Sequence, residues 1–384
     1  MALSKKRRST QKKQSNAARP PSAARKAKSA SGSGNAKKSS ARGRRAVLVT
    51  GALGFIGSHI CKSLIQKGPV IALDRVHPDA LNNARVQALK KAGVQFITAD
   101  LADPLLPEIL EESLHQCDAI VHTAAPVKEK GPLEDFRAIN VVSTLALARK
   151  AADCGVRRWT QLSSVMVYGF HYPPDVGEEG PLRGDGNPYC ITKIESEHAL
   201  LGLSGSQGMD VVILRPGDVY GPGSVPWVVR PLEMMKKKQF LLLDGGRYAI
   251  NHTHVSHIVQ AVELSLKTRG GQIFNITDGI SSSCLEYFGA LASTAGFSAP
   301  PSIPSMLARS GALLMEMGSA LLGREAQLNR EALKFVMRPH TVNSRKARAL
   351  LGLRPTVSLT QGLDEIHTWL KEERPDLQGP DFRP

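Results

Sequence analysis

Three side chains in the middle of the chain have the types and the spacing needed to move a proton. Tyr189 and Lys193 lie four residues apart in a helical pattern, so their side chains would share one face of a helix. An ammonium group beside a tyrosine favours the phenolate and lowers a pKa that is normally about 10. Ser164, at the end of an apolar run, would hold a substrate oxygen while Tyr189 acts as general acid or base. Tyr-x-x-x-Lys pairs also occur on helices by chance, so the surrounding elements decide the interpretation.

A glycine-rich turn near the start of the folded part is the second feature with chemical meaning. The apolar run 46–50 is followed by Gly51, Gly54 and Gly57, and then by an apolar helical pattern. Glycines let backbone approach a pyrophosphate, and a helix N-terminus offers free N–H groups and a positive dipole end to the phosphates. Glycine turns also serve as plain turns, but this strand–turn–helix context predicts a dinucleotide site.

An acidic residue at the end of the next apolar run indicates which dinucleotide. Asp74 follows the glycines by about 20 residues, where a carboxylate accepts hydrogen bonds from the adenosine ribose. It would repel a 2′-phosphate, which favours NAD over NADP. Arg75 beside it would tolerate that phosphate, so NADP stays open as the less favoured cofactor. A helix or loop cap is the structural alternative for Asp74.

Apolar runs alternate with helical patterns from residue 46 onward, which predicts an α/β fold with a Rossmann-type doubly wound parallel sheet. We expect an NAD-binding domain over 46–215. Residues 216–384 would form a smaller, mainly substrate-binding C-terminal region with interleaved Rossmann elements. A helix over 136–154 would end at Gly155. The predicted strands after the first are 70–74, 94–100, 119–125, 159–164 and 211–214.

The positive charge is concentrated in the first residues. The chain has a net charge of +16, and residues 1–45 contain 15 Lys or Arg and no Asp or Glu. This segment is predicted to be disordered. It would contact nucleic acid or another acidic surface, act as a transit peptide, or extend into solvent without a specific partner. It lacks an apolar core after its charges, so a secretory signal is not expected, and we predict a cytoplasmic protein with organellar targeting left open.

The remaining polar groups do not form a predicted metal site. The five cysteines are scattered and lack Cys-x-x-Cys spacing, which is typical of a reducing compartment without disulfides or structural zinc. His252, His254 and His257 have no acidic or thiol residue to complete a tetrahedral set, so we interpret them as core or loop residues. A helix over 307–322 is too short and charged to span a membrane; it could lie on one, or form a lid or core helix.

Taken together, these motifs resemble the extended short-chain dehydrogenase/reductases, in the NAD-dependent epimerase/dehydratase family and its 3β-hydroxysteroid dehydrogenase-like branch. They run in order over residues 46 to about 372. The motifs are Thr50-Gly-Ala-Leu-Gly-Phe-Ile-Gly57, Asp100-Leu101, His122-Thr-Ala-Ala125, Asn140-Val141, Leu162-Ser-Ser-Val-Met-Val-Tyr-Gly169, Tyr189-x-x-x-Lys193, Arg215-Pro-Gly-Asp-Val-Tyr-Gly-Pro-Gly223 and the segment 344–369.

The resemblance implies catalytic roles for Ser164, Tyr189 and Lys193, with Lys193 also gripping the nicotinamide ribose. It also implies a homodimer, as is common in the family. The cofactor-binding residues it implies are Gly51, Gly54, Phe55, Ile56 and Gly57 at the pyrophosphate, Asp74 and Arg75 at the ribose, Asp100 and Leu101 at the adenine, Thr123, Ala124, Ala125 and Asn140 along the cofactor, and Tyr189, Lys193, Pro216 and Gly217 at the nicotinamide.

Departures from the family pattern narrow the range of substrates that we expect. Val165 and Met166 stand where sugar-nucleotide dehydratases carry an Asp-Glu pair, so elimination of water is not expected. Asp218 stands where epimerases usually carry Asn, and Ile250 where they carry the arginine that neutralises the substrate diphosphate. An uncharged, apolar substrate is more compatible with this chain. Its pocket would be walled by the helix 307–322 and by Met166, Trp227 and Val228.

The sequence therefore predicts reversible hydride transfer between NAD(H) and a secondary alcohol or ketone on a hydrophobic substrate, either steroid- or sterol-like or a long acyl ketone. An NAD-dependent sugar-nucleotide epimerase is the first alternative. The second is a non-catalytic NAD-binding regulatory protein anchored by its basic tail. The intact set of Ser164, Tyr189 and Lys193 argues against the second, because a binding protein has no need of a tuned tyrosine.

Overall fold

The computed structural model describes residues 45–81, 84–126, 131–205, 208–311 and 330–383, and seven of its strands form one parallel sheet. The strands of this part are, in chain order, β1 (Ala46–Thr50), β2 (Val70–Asp74), β3 (Gln95–Thr98), β4 (Cys117–His122), β5 (Arg158–Leu162), β6 (Asp210–Pro216), β7 (Asp218–Tyr220), β8 (Leu242–Leu243), β9 (Ala249–Ile250), β10 (His252–His254), β11 (Gln272–Ile276), β12 (Ser282–Ser283) and β13 (Ser302–Ile303). The central sheet has the order β3-β2-β1-β4-β5-β6-β11. The order reverses between β1 and β4, at the point where doubly wound sheets bind ligands.

Helices cover both faces of this sheet. The helices over the whole described part are, in chain order, α1 (Phe55–Leu64), α2 (Ala84–Lys91), α3 (Leu106–Ile109), α4 (Glu111–His115), α5 (Leu133–Arg137), α6 (Thr144–Asp153), α7 (Pro188–Leu203), α8 (Arg230–Lys236), α9 (Val255–Ser265), α10 (Cys284–Thr294), α11 (Arg330–Val336) and α12 (Leu359–Glu372). A π-helical turn, Ala138–Ser143, joins α5 to α6. Together they form the helix predicted over 136–154, and Gly155 follows it with φ +84°.

Successive residues of the central strands pack into different apolar clusters. Val49 and Val121 belong to the cluster that includes residues of α1 and α9. Their neighbours Leu48 and Ile120 belong to the cluster that includes residues of α6 and α7. Because both faces are buried, these strands are continuous apolar runs rather than alternating ones. The predicted Rossmann-type doubly wound sheet is confirmed.

Short strand pairs and an aromatic cluster make up much of the part after residue 216. β10 pairs with β7, β12 with β9 and β13 with β8. Trp227, Tyr287, Phe288 and Trp369 are among the residues of the shared cluster. β11 returns from this part to the edge of the main sheet beside β6. The sequence predicted interleaved Rossmann elements here without identifying this strand.

Two predictions concern segments at or beyond the edge of the described residues. Residues 305–311 are helical, and the rest of the predicted helix 307–322 lies outside the described part. The basic segment 1–45 lies outside it except for Arg45, so its disorder and its partners stay predictions. Among the helices of the described ranges, none is long and apolar enough to cross a membrane.

Candidate active site and cofactor site

The glycine turn after β1 leaves no room for side chains. Gly51 has φ +64°, and a Cβ there would lie 2.9 Å from the backbone of Ala124. A Cβ on Gly57 would lie only 2.1 Å from the carbonyl oxygen of Gly51. Gly54 is the N-cap of α1, which begins at Phe55. It has no side chain to bond the first N–H groups of the helix. The turn therefore forms a cradle for a phosphate at the N-terminus of α1.

Replacing Gly57 with alanine is expected to weaken NADH binding about tenfold or more and to lower the free energy of unfolding by about 1–3 kcal/mol. The added methyl group would force the turn away from α1. NADH fluorescence titration and urea unfolding measure the two effects. Gly289→Ala is the matched control, because it lies in α10 with no atom near its Cβ. Unchanged NADH affinity in Gly57→Ala would contradict the cradle.

The carboxylate of Asp74 supports this turn from the end of β2. Its Oδ2 accepts a hydrogen bond from the N–H of Leu53 at 2.9 Å, and its Oδ1 accepts one from Val76 at 3.1 Å. The side chain is half-buried, and Arg75 beside it is exposed. The capping alternative is thus realised. Each carboxylate oxygen keeps further acceptor capacity, so the same group remains suited to ribose hydroxyls.

Arg85 brings a positive charge to the same place, and sequence reasoning missed it. Its guanidinium lies 5.9 Å from the centre of the Phe55 ring. Its Nη2 donates to the carbonyl oxygen of Pro222 at 3.2 Å. Burial lowers its pKa, and the side chain is half-buried on α2. No motif marks this position, because only the fold brings α2 beside the start of α1.

The residues predicted to line the cofactor lie along the carboxyl edge of the sheet. Thr123 follows β4, and its Oγ1 donates to the carbonyl oxygen of Thr50 at 2.7 Å. The N–H of Ala124 donates to the Thr50 hydroxyl at 3.3 Å. Asp100 follows β3, is exposed and accepts from the N–H of Ala102 at 2.9 Å, whereas Leu101 is buried. The structure therefore places these residues on the ends of neighbouring strands, as the sequence predicted.

Ser164, Tyr189 and Lys193 meet at the ends of β5 and β6. Ser164 follows β5 and lies near enough to Tyr189 to favour its phenolate, while its Oγ accepts from the N–H of Met166 at 3.1 Å. Tyr189 and Lys193 lie on the first turns of α7, which begins after the Asn187 cap. The Nζ of Lys193 lies 5.6 Å from the centre of the Tyr189 ring and donates to the carbonyl oxygen of Leu162 at 2.9 Å. The predicted catalytic set is thus assembled at one place.

The pKa of Tyr189 differs from the prediction. Burial raises it to about 12, and the hydrogen bond from Ser164 opposes this rise. The expectation that Lys193 lowers the pKa of Tyr189 is wrong for this structure, because burial is the largest effect and the ammonium bonds Leu162 instead. Burial also lowers the pKa of Lys193 to about 8, while the charge of Glu197 raises it.

A buried ion pair holds α7 against β6. The guanidinium of Arg215 donates to the carboxylate of Glu197 at 2.6 Å, and both side chains are 1% exposed. Arg215 also donates to the hydroxyl of Tyr168 at 2.7 Å. Pro216 ends the strand and Gly217 follows it; a Cβ on Gly217 would lie 2.3 Å from the carbonyl oxygen of Asn251, between β9 and β10. The pair therefore sets the position of the catalytic helix relative to the predicted nicotinamide contacts.

Asn140 supports the same helix from the opposite side. It lies on the π-helical turn between α5 and α6 and is buried. Its Nδ2 donates to the hydroxyl of Thr192 at 3.0 Å, next to Lys193. The side chain thus contacts α7, and its place beneath the cofactor stays a prediction.

An apolar wall formed by Met166, Phe335 and Trp227 lies beside Tyr189. Met166 packs in a cluster against Tyr189 and Phe335, and the rings of Trp227 and Phe335 are 5.6 Å apart. Phe335, on α11, was missed because it is far away in sequence. Val228 is corrected from a wall residue to a core residue, because its side chain is 0% exposed within the C-terminal cluster.

The surroundings of positions 218 and 250 include a charge that the sequence did not predict. Ile250 is a core residue with 1% exposure, as expected of an apolar side chain. Arg338 was not identified, yet it is buried and donates to both carboxylate oxygens of Asp218, at 2.8 and 2.7 Å. Position 250 therefore holds no arginine, but Arg338, two residues after the end of α11, brings one to the same region.

The histidines make structural hydrogen bonds. The Nδ1 of His257 bonds Asp278 at 2.6 Å, and its Nε2 accepts from the N–H groups of Thr356 and Val357. Both ring nitrogens of His257 are therefore engaged by protein groups. His254 caps α9 through its side chain.

Comparison with known proteins agrees with this geometry. Residues 47–277 match the model of the NAD dependent epimerase/dehydratase family. A 4-hydroxy-2-methyl-3-oxo-4-farnesyl-3,4-dihydroquinoline-1-oxide ketoreductase of Stigmatella aurantiaca is 30% identical over 83% of this chain and 94% of its own. The 3beta-hydroxysteroid-dehydrogenase/decarboxylase isoform 1 of Arabidopsis thaliana is 26% identical over 82% of this chain and 77% of its own. The solved dTDP-glucose 4,6-dehydratase DesIV of Streptomyces venezuelae, with NAD and TYD bound, has a TM-score of 0.70 and 25% identity, covering 87% of this chain and 100% of that one.

The glycine cradle, the carboxylate after β2 and the carboxyl edge of the sheet suit NAD, which is the cofactor of this fold's solved relatives. The serine, tyrosine and lysine that the sequence predicts to move a proton lie beside it. The chain belongs to the NAD-dependent epimerase/dehydratase family of extended short-chain dehydrogenase/reductases and is an NAD-dependent oxidoreductase of that family.

Proposed function

We propose that this protein interconverts a ketone and a secondary alcohol on an uncharged, hydrophobic substrate with NAD(H). The observation that carries the proposal is the wall of Met166, Phe335 and Trp227 beside Tyr189. Apolar and aromatic lining with a few placed polar groups is typical of sites for such ligands. Arg338, whose guanidinium lies 4.6 Å from the centre of the Phe335 ring, is neutralised by Asp218.

The cofactor would be held by this chain's residues from one end of the cleft to the other. Gly51, Gly54 and Gly57 would receive its pyrophosphate, Asp74 its adenosine ribose, and Lys193 its nicotinamide ribose. Bound NAD(H) supplies or accepts the hydride. The fit rests on the space left by the missing Cβ atoms, which a larger residue would fill.

The protein's own task is to move the proton. With its pKa near 12, Tyr189 is protonated at neutral pH and can donate its hydroxyl proton to the oxygen of a ketone as that oxygen gains charge. Ser164 would hold the same oxygen by a hydrogen bond. In the oxidation direction the proton returns to Tyr189. The raised pKa therefore favours reduction at neutral pH, because the acid form of Tyr189 is the one populated.

The substrate class is proposed from the wall and supported by the relatives. The Stigmatella ketoreductase is named for a farnesyl-bearing ketone, and the Arabidopsis protein for a 3β-hydroxysteroid. Both names describe molecules with a large apolar part. A steroid- or sterol-like substrate, or a long acyl ketone, would place its apolar body against Phe335 and Trp227 and its oxygen at Tyr189.

A sugar-nucleotide epimerase is the second candidate, favoured by the likeness to a dehydratase solved with a nucleotide bound. That chemistry needs a positive group for the diphosphate. A panel of steroids, acyl ketones and UDP-sugars with NADH separates the two. We expect NADH consumption with the apolar ketones. Conversion of UDP-sugars without net loss of NADH would contradict the proposal.

The pH dependence should reflect Lys193. Burial lowers its pKa from 10.5 to about 8, so its ammonium is lost from the folded protein above that pH. The value of kcat/KM is expected to fall about tenfold per pH unit above about 8 if this charge is required. In the same range the unfolded chain still holds the lysine proton, so this group makes folding more favourable as pH rises. Loss of activity with intact circular dichroism would identify the effect; a flat profile to pH about 10 would contradict it.

A further inference from the structure

A buried arginine, Arg338, lies behind the wall of Met166, Phe335 and Trp227. The carboxylate of Asp218 neutralises its charge. The Nη2 of Arg338 lies 2.7 Å from the nearer carboxylate oxygen of Asp218, and the two side chains are 1% and 4% exposed. Asp218 also accepts from the N–H of Asn251 at 2.7 Å. The Nε of Arg338 donates to the carbonyl oxygen of Phe335 at 3.0 Å. This carboxylate is therefore held by two donors, the Nη2 of Arg338, which bonds both of its oxygens, and the N–H of Asn251.

The pair adjoins the proposed substrate pocket. The Cζ of Arg338 lies 4.6 Å from the centre of the Phe335 ring. The same ring packs against the cluster of Met166 and Tyr189 and lies 5.6 Å from the ring of Trp227. The guanidinium thus contacts one member of the wall, the ring of Phe335.

The Arg338 guanidinium has one further donor, its Nη1, that takes no part in these hydrogen bonds. Its Nη1 is buried and has no hydrogen-bond partner among the described residues. An unpaired buried donor on an arginine is costly, and it would bind an anion strongly if no carboxylate were present. With Asp218 in place the pair has no net charge, and its carboxylate would repel an incoming anion.

We propose that Asp218 determines the charge of the substrate. By neutralising Arg338, it excludes substrates with a phosphate or carboxylate at this end of the pocket and admits uncharged ones. Asparagine at this position would leave Arg338 as an anion-binding group. This inference deepens the proposed function and rests on it, since it explains why the pocket takes an uncharged substrate.

The test is a titration of UDP, by calorimetry, into protein saturated with NADH, so that the cofactor site is filled. Asp218→Asn keeps an oxygen for the N–H of Asn251 but removes the charge. We expect this variant to bind UDP about 10–100 times more tightly than the wild type. The double variant D218N/R338M should lose that gain. Equal, weak UDP binding by the wild type and by folded D218N would overturn the inference.

A second variant covers the case in which D218N does not fold. Replacing both members of a buried pair by apolar residues of similar volume is often tolerated. D218L/R338M should keep kcat for an apolar ketone within about threefold of the wild type, because the pair only excludes anions. A loss of about 100-fold with normal NADH affinity would overturn the inference, since Arg338 would then act on the substrate directly.

The outcomes separate this inference from the proposed function. Ketone turnover by the wild type without a UDP gain in D218N defeats the inference alone. A UDP gain in D218N without any ketone turnover defeats the proposed function alone. Tight UDP binding by the wild type defeats both.

Discussion

Replacing Tyr189 with phenylalanine is expected to lower kcat by about 10²–10⁴-fold while NADH affinity stays within about twofold. The hydroxyl of Tyr189 lies near Ser164 and, with a pKa of about 12, holds its proton at neutral pH. The ring itself packs against the cluster of Met166 and Phe335, and phenylalanine would keep that packing. The loss should therefore appear in the chemical step and not in folding.

Single-turnover kinetics with preformed NADH complex measure this effect, and circular dichroism checks the fold. Tyr248→Phe is the matched control, because it also removes a partly buried tyrosine hydroxyl. That hydroxyl donates to Asp244 at 2.6 Å and lies outside the site. The control should keep full turnover. Retention of more than about a tenth of the wild-type kcat in Tyr189→Phe would show that another group supplies the proton.

Replacing Glu197 with glutamine is expected to lower the free energy of unfolding by about 3–5 kcal/mol. Arg215 would remain buried with no counter-charge, although its hydrogen bond to Tyr168 persists. The carboxylate of Glu197 also raises the pKa of Lys193, so its loss should move the alkaline fall of kcat/KM to lower pH.

Urea unfolding and the pH profile together test both parts of that result. Glu195→Gln is the matched control on the same helix, since its ion pair with Arg137 is only half-buried. The control should cost no more than about 1 kcal/mol and leave the pH profile unchanged. Equal stability losses in the two variants would contradict the assigned role of Glu197.

Much of the fold could be predicted because its signals are local. The continuous apolar runs of β1 and β2, the glycines between them and the helical spacing after them indicate a Rossmann unit without any long-range information. Tyr189 and Lys193 are likewise four residues apart on one helix, which the structure shows as α7. Ser164 comes from the end of the preceding sheet strand, so its meeting with them follows from the parallel order of the sheet.

The rest depends on contacts between distant segments. Arg85, Phe335 and Arg338 reach the site from α2 and the end of α11, and no local pattern marks them. The pKa of Tyr189 depends on how deeply the fold buries it, which the spacing to Lys193 does not reveal. Val228 resembled a wall residue because it follows Trp227, yet the turn there directs it into the core.

The most direct measurement of the central claim follows the hydride itself. Wild-type protein would be given NADH deuterated at the transferred position and a long acyl or steroid ketone, and the product analysed by mass spectrometry. The account predicts an alcohol with one deuterium on the carbinol carbon, formed in equal amount to the NADH consumed, and its formation about 10²–10⁴-fold more slowly by Tyr189→Phe. A product without deuterium, or a UDP-sugar epimerised with no NADH consumed, would contradict it.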